Sequence, residues 1–297
     1  MLLLAVDFGN TSLKAALFEN EELLEVRYSL STNDLEDWIN EIKTSFKGSL
    51  KGIIISSVRK NEDIELSFVE NLKQKLKLII KSNSDSEKIA TDNKGIDVVV
   101  LDENTPLPIQ NNYKTPKTLG KDRLAAVIGA FFLENEAIKE PTLVIDAGTC
   151  ITFDFIDTKQ SKGIYEGGSI SLGLQMRFKA LNHFTAKLPL FKPSESLPTP
   201  IGTSTQEAMQ SGVQFGLLSE IKGIIDFYQN QINKELYSKL NIVICGGDAK
   251  ILKKWWEEYL INFTNNSHLY SKWTIESNLV LIGLQRIFQF IKNNEDN

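Results

Sequence analysis

At 297 residues the chain has room for about two domains or one large one, and 42% hydrophobic with 24% charged residues describes a folded globular protein rather than a disordered one. A net charge of −5 supplies no long-range field toward phosphate polymers, so nucleic acid is not an expected partner. Two Cys and two His, far apart in sequence, exclude a structural zinc site and a disulfide framework, which leaves proton transfer to Asp, Glu, Lys or Tyr.

The first residues, Met1 to Val6, are apolar but short, lack a basic flank and end at Asp7. They read as a buried strand rather than a signal peptide. No run of about 18 uncharged apolar residues exists, so no membrane partner is expected and the location is read as cytoplasmic. Strands are predicted over Leu2–Val6, Ser12–Phe18 and Leu23–Leu30, joined by the turns at 7–11 and 19–22. A helix follows over 32–46, with Leu35, Ile39, Ile42 and Phe46 on one face. Gly52–Val58 is a β-branched run of the buried-strand kind. Beyond it the pattern predicts a helix over 64–77, a short strand over 78–81, a polar loop over 82–95 and a strand over Ile96–Leu101. The Lys-rich stretch 73–81 reads as a solvated face. Three prolines make Asn104–Thr118 a long loop, and Leu124–Ile138 reads as a helix.

From Thr142 the opening pattern returns. The strand Thr142–Asp146 runs into Ala147-Gly148-Thr149, and a second strand spans Cys150–Ile156. Both units read as apolar strand, Asp-x-Gly, Thr, alternating strand, and their aspartates stand about half the chain apart. This is the mark of an internal duplication, with domains at 1–138 and 139–297 and a last helix free to pack back on the first. The second half continues with Glu166-Gly167-Gly168-Ser169-Ile170, a helix over 174–182, a Pro-rich loop over 188–200 and one long or broken helix over 205–231. A strand over Asn241–Cys245 ends in Gly246-Gly247, a helix runs from Leu279 to Ile291, and residues 293–297 are expected to fray.

Chemistry concentrates at the turns. In Asp7-Phe8-Gly9-Asn10-Thr11, glycine admits a ligand to the backbone, turn N–H groups face phosphate oxygens, and Asp7 can hold Mg²⁺. Lys14 can neutralise phosphate. An ordinary hairpin turn accounts for one such motif but poorly for two, and Asp146-Ala147-Gly148-Thr149 repeats it. Asp122, close to the expected N-cap of the helix, reads as a cap or as a general base. Arg123 beside it can grip a carboxylate with two hydrogen bonds. Gly246-Gly247 and Gly167-Gly168 fit either ligand approach or close packing. Cys150 and Cys245 read as small buried hydrophobes, and His183 and His268 as structural residues. Walker, dinucleotide-binding and nucleophile-elbow glycine motifs are absent.

The paired Asp-x-Gly turns and the later Gly-Gly turn resemble the phosphate and adenosine motifs of the actin/Hsp70/sugar-kinase superfamily. A narrower resemblance, to type III pantothenate kinases, rests on several segments in order. They are Tyr113 to Ala126, Asp7–Thr11, Asp146–Thr149 with Thr152 and Asp154, Glu166–Ile170, Arg177–Leu181, Thr185–Pro189 and Gly202–Ala208. It covers residues 2 to about 284.

The resemblance implies an α/β fold of two duplicated ribonuclease H-like domains with a nucleotide cleft between them. It implies ATP-dependent phosphorylation of pantothenate to 4′-phosphopantothenate, the first step toward coenzyme A, by a homodimer. It assigns ATP phosphates to Asp7, Phe8, Gly9, Asn10, Thr11, Ser12, Leu13 and Lys14, with Thr149, and Mg²⁺ to Asp7. Asp146 holds a monovalent cation, K⁺ or NH₄⁺. Asp122 is the proton acceptor, and Tyr113, Gly120, Lys121, Asp122, Arg123 and Thr205 line the pantothenate site. Leu172, Cys150 and Cys245 depart from the family's usual Pro, Ala and Thr. The alternatives are another kinase or phosphatase of the superfamily, or a non-catalytic transcription accessory protein on the same fold.

Overall fold

The structure, a computed structural model, describes residues 1–9, 11–45, 50–57, 79–80, 96–133, 138, 140–158, 163–231, 240–263 and 273–295. The expected helix over 64–77, the loop over 82–95 and His268 lie outside them, as do Asn10 and Phe46. The chain divides into two compact units, one of Met1–Ala137 with Leu279–Asn297 and one of Ile138–Asn278.

In the first unit three antiparallel strands open the chain: β1 (Leu2–Phe8), β2 (Leu13–Glu19) and β3 (Glu22–Leu30). A helix α1 (Thr32–Ser45) leads to β4 (Leu50–Ser57), which lies parallel to β1. The strands β5 (Ile79–Ile80) and β6 (Asp97–Val100) extend the parallel half, giving the order β3–β2–β1–β4–β6–β5. After a two-residue strand β7 (Gln110–Asn111) and a 3₁₀ turn Pro116–Thr118 comes α2 (Lys121–Phe131). It begins three residues earlier than the periodicity predicts and ends well before Ile138. Gly120 is its N-cap and supplies no side chain, so Asp122 sits in the first turn rather than at the cap.

Alternation along β1 sends its residues to two faces. Leu2, Leu4, Val6 and Phe8 pack with Leu35, Trp38, Ile39 and Ile42 of α1 in one buried core. Leu3, Ala5 and Asp7 face the other way. That face receives the last helix of the chain, and α2 packs along that helix.

The second unit repeats the plan. The strands β8 (Thr142–Ala147), β9 (Cys150–Asp157) and β10 (Ile164–Leu172) form the antiparallel part. Helix α3 (Leu174–His183) follows β10. The predicted helix over 205–231 is broken into α4 (Thr205–Gln210), a π-turn Ser211–Phe215 and α5 (Gly216–Gln231). The strand β11 (Asn241–Cys245) lies parallel to β8, α6 spans Ala249–Phe263, and β12 (Trp273–Ile275) lies parallel to β11. The order β12–β11–β8–β9–β10 matches β6–β4–β1–β2–β3 of the first unit strand for strand. Ile145, Ile151, Phe153 and Ile244 pack under Phe178, Leu217, Ile221, Leu252 and Trp255, so α3, α5 and α6 cover one face.

The last helix, α7 (Leu279–Glu295), belongs to the first unit. A Cβ on Gly52 would stand 2.2 Å from the Phe288 ring. Gly52 pairs with Leu3, so Phe288 lies over the face that bears Asp7. Two glycines let α2 and α7 touch backbone to backbone: a Cβ on Gly283 would meet the Ala125 carbonyl at 1.8 Å, and one on Gly129 the Leu279 carbonyl at 2.2 Å. Residues 293–295, expected to fray, are helical. Lys292 binds both Asp97 of β6 and Glu295, which ties down this last turn. Burial pulls the Lys292 ammonium down, but the two carboxylates outweigh it and hold it above its ordinary value.

Candidate active site

The candidate residues lie at two strand ends and one helix head. In the first unit, the registers place Asp7 opposite Lys14 on β2 and beside Ser56 on β4. Residues paired in this way share a face. Asp7 is 5% exposed and Ser56 is 0% exposed. The Ser56 Oγ donates to Asp7 Oδ1 at 2.7 Å. A Cβ on Gly9 would stand 3.0 Å from the Ser12 carbonyl and 3.8 Å from Asp7 Oδ2, so the turn closes tightly and the second oxygen lies toward it. Phe8 and Leu13 give their side chains to the α1 core, and what they bring to the turn is backbone. Thr11 is exposed, Ser12 and Lys14 are half-buried, and Asn10 lies outside the described residues.

The second cluster is the head of α2, on the same side of that sheet. Asp122 Oδ1 accepts from the Arg123 backbone N–H at 2.8 Å. A Cβ on Gly120 would stand 2.6 Å from that oxygen, so only glycine leaves the carboxylate its place. Arg123 is buried, 5% exposed, with its guanidinium 5.6 Å from the centre of the Tyr113 ring. The ring and the helix fix an otherwise flexible cation. Lys121 Nζ donates to the Pro116 carbonyl at 3.3 Å, and the Tyr113 N–H donates to Asn111 Oδ1 at 3.0 Å. Tyr113, Gly120, Lys121, Asp122 and Arg123 therefore form one local group.

In the second unit Asp146 pairs with Thr152 on β9 and with Cys245 on β11. The Gly148 N–H donates to the Cys150 carbonyl at 2.9 Å and closes the turn. Asp146 is half-buried, while Thr149 and Cys150 are exposed. Exposure of Cys150 corrects the expectation of a buried thiol: it is the first residue of β9 and stands at the turn, outside the packed layer. Cys245 is buried as expected. Gly246 has φ +89°, and a Cβ there would meet the Ala147 carbonyl at 2.4 Å and Asp146 Oδ1 at 2.5 Å. Close packing therefore explains Gly246, whereas Gly247 borders open space. Gly168 is likewise a packing glycine, with the Phe153 carbonyl 1.7 Å from a Cβ placed on it. Asp248 is half-buried, and burial pushes its carboxyl above the ordinary carboxylate range.

Ser56 escaped sequence reasoning, where it is only a polar residue within the expected strand Gly52–Val58. Asp154 entered only through the family resemblance, with no role attached. Asp154 is buried and accepts from Tyr165 Oη at 2.6 Å and Thr152 Oγ1 at 3.0 Å. Burial, with the Asp154 charge added, pushes the Tyr228 phenol up. Thr205 lies in the second unit, apart in sequence and unit from the Tyr113–Arg123 group. It heads α4 and lines a cavity of about 740 Å³ together with Leu172, Arg177, Phe184, Met209 and Val213. Arg177, on that cavity's wall, donates to the Leu172 carbonyl at 2.8 Å and pairs with Glu220 of α5. Among the described residues no group of three or more His, Cys, Asp or Glu is placed to hold a metal ion, and no helix is long and apolar enough to cross a membrane.

Residues 3–226 match the family described as type III pantothenate kinase. The type III pantothenate kinase of Christiangramia forsetii is 35% identical over 289 residues, covering 97% of this chain and 98% of its own. That of Flavobacterium johnsoniae is 34% identical over 297 residues, covering 99% and 100%. One from Bacteroides fragilis is 35% identical over 289 residues, covering 97% of each chain.

Proposed function

The chain belongs to the type III pantothenate kinase family, and we propose that it phosphorylates pantothenate with ATP, the step that opens coenzyme A biosynthesis. The observation that carries this reading is the near full-length match, at 34–35% identity, to relatives of that name. The pantothenate hydroxyl oxygen attacks the γ-phosphorus, the bond to the bridging oxygen breaks, ADP leaves, and the hydroxyl proton passes to Asp122. Such a transfer depends on alignment and charge neutralisation more than on covalent chemistry. Asp122 suits the part because Gly120 leaves room for its carboxylate and the Arg123 N–H holds one oxygen in place. Arg123, buried and stacked near Tyr113, presents a fixed cation to the pantothenate carboxylate. Gly120 and Lys121 complete the proposed pantothenate contacts of this unit, and Thr205, at the cavity of the second unit, is assigned to the same ligand by the family resemblance alone.

The turn from Asp7 to Lys14 and the turn at Thr149 are assigned to the ATP phosphates. Mg²⁺ keeps most of its waters and needs one or two carboxylates besides phosphate oxygens. Asp7 meets that demand alone, with Oδ1 anchored on Ser56 and Oδ2 toward the turn. Bound there, Mg²⁺ would neutralise phosphate charge as it develops in the transfer. Asp146, half-buried and beside a glycine turn, offers a hard oxygen suited to K⁺ or NH₄⁺. The protein is read as a cytoplasmic homodimer. Leu172 and Phe184, exposed at the cavity that Thr205 lines, offer apolar surface that a second copy would cover.

The test is direct. Purified protein with ATP, Mg²⁺, K⁺ and pantothenate yields 4′-phosphopantothenate by mass spectrometry. Asp122→Asn lowers kcat by about 10²–10⁴ while the circular dichroism spectrum stays that of the parent. A folded parent that forms no product overturns the reading, and an Asp122→Asn enzyme of full activity removes Asp122 as the base.

A further inference from the structure

Strand β4 carries three isoleucines, Ile53 to Ile55, all fully buried, and then Ser56, equally buried. A β-branched apolar residue would suit this position in the sheet better than a hydroxyl. Burying a hydroxyl costs free energy unless it is hydrogen-bonded, and burying a carboxylate costs more. The two polar groups nevertheless stand side by side on parallel strands, Asp7 at 5% exposure and Ser56 at 0%, joined by a 2.7 Å bond. Local departures from the best core residue concentrate at functional sites.

What this bond does follows from carboxylate geometry. The torsion about the bond to a carboxyl group is broad, so an aspartate at a strand end has no intrinsic preference for where its two oxygens point. The Ser56 hydroxyl has one hydrogen, and it is donated to Oδ1. That anchors one oxygen to the sheet and turns the carboxylate plane so that Oδ2 lies on the Gly9 side.

We propose that Ser56 is a positioning residue: it fixes the Asp7 carboxylate so that one oxygen faces the turn that receives the metal–nucleotide complex. This rests on the assignment of Asp7 to Mg²⁺ and phosphate made above. Removing a residue that orients a metal-binding carboxylate costs about 10- to 100-fold in metal affinity or activity.

The experiment compares Ser56→Ala, Ser56→Cys, Ser56→Thr and Asp7→Asn with the parent. Ser56→Ala is expected to raise the half-saturating Mg²⁺ concentration and lower kcat, each by about tenfold, while KM for pantothenate stays within about twofold. Ser56→Cys keeps the shape with a weak donor and is expected to behave like the alanine variant. Ser56→Thr keeps the hydroxyl and is expected to restore both values toward the parent. Binding of the Mn²⁺–ATP complex without pantothenate, followed by electron paramagnetic resonance, is expected to weaken in the same order. This binding measurement separates positioning from a purely structural role. If Asp7→Asn weakens Mn²⁺–ATP binding and neither Ser56→Ala nor Ser56→Cys does, the positioning role is overturned. If Asp7→Asn also binds like the parent, the Asp7 assignment itself falls, and the proposal with it.

Discussion

The two units share one strand plan and differ in what surrounds the aspartate at its centre. Asp7 and Asp146 each stand one residue before the end of their strand, β1 and β8. Their cross-strand partners are Lys14 and Thr152, and their parallel-strand partners are Ser56 and Cys245. In the first unit the carboxylate is nearly out of water, bound by a buried hydroxyl and faced by a lysine. In the second it is half-buried beside a threonine and a buried thiol, a much weaker hydrogen-bond donor. The duplicated backbone keeps the aspartate in place, while the neighbouring side chains decide its chemistry. A carboxylate held by the sheet suits the fixed geometry of phosphate transfer. One partly open to solvent would suit the exchangeable cation proposed for Asp146.

Neutralising each aspartate in turn while varying K⁺ separates the two roles most strongly. Asp7→Asn is expected to lower kcat by about 10²–10³ at every K⁺ concentration, the usual cost of one lost electrostatic contact to the reacting group. Asp146→Asn is expected to shift the K⁺ dependence instead, raising the half-activating concentration by about tenfold and losing less at saturating K⁺. Steady-state kinetics over a K⁺ series reads both. If the two variants respond to K⁺ alike, the division of labour between the units is wrong.

Much of this site was legible in the sequence because it is local. The strand–turn–strand units at Asp7 and Asp146 announce themselves through alternation and glycine, and Gly120 to Arg123 is a contiguous segment. What was not legible depends on contacts between distant parts of the chain. Ser56 matters only because a parallel register sets it beside a residue 49 positions earlier. The early start of α2 reflects Gly120 serving as a cap without a side chain while Asp122 binds the next N–H, which no periodicity announces. Helical order through Glu295 depends on Lys292 reaching Asp97. The sequence pattern leaves the last helix free to pack back on the first domain, as it does, but the close fit there rests on Gly129 and Gly283, which no pattern announces.

Those glycines extend the comparison from chemistry to packing. A methyl group on Gly283 would sit 1.8 Å from the Ala125 carbonyl, a backbone atom that cannot swing aside. Gly283→Ala is therefore expected to push α2 away from α7 and destabilise the first unit by about 3 kcal/mol or more. Because α2 carries Asp122 and Arg123, KM for pantothenate should rise in whatever folded protein remains. Urea unfolding and steady-state kinetics test both, and an unchanged midpoint would show that the helices have room to part.

The glycines of the second unit's long helix make the opposite prediction, and the smaller one. Gly223 lies in the middle of α5, exposed, and a Cβ placed there meets no atom within 4 Å. Nothing in the fold of this unit uses its freedom, so it only adds backbone entropy to the unfolded chain. Gly223→Ala is expected to stabilise the protein by about 0.5–1 kcal/mol, the helix-propensity difference between the two residues. Chemical denaturation of the parent and variant measures it. A loss of stability instead would mean that in solution another surface lies within methyl distance of this helix face. Repeating the measurement across a range of protein concentrations tells whether that surface is a second copy: a penalty that grows with concentration points to the homodimer, and a constant one to a contact within the chain.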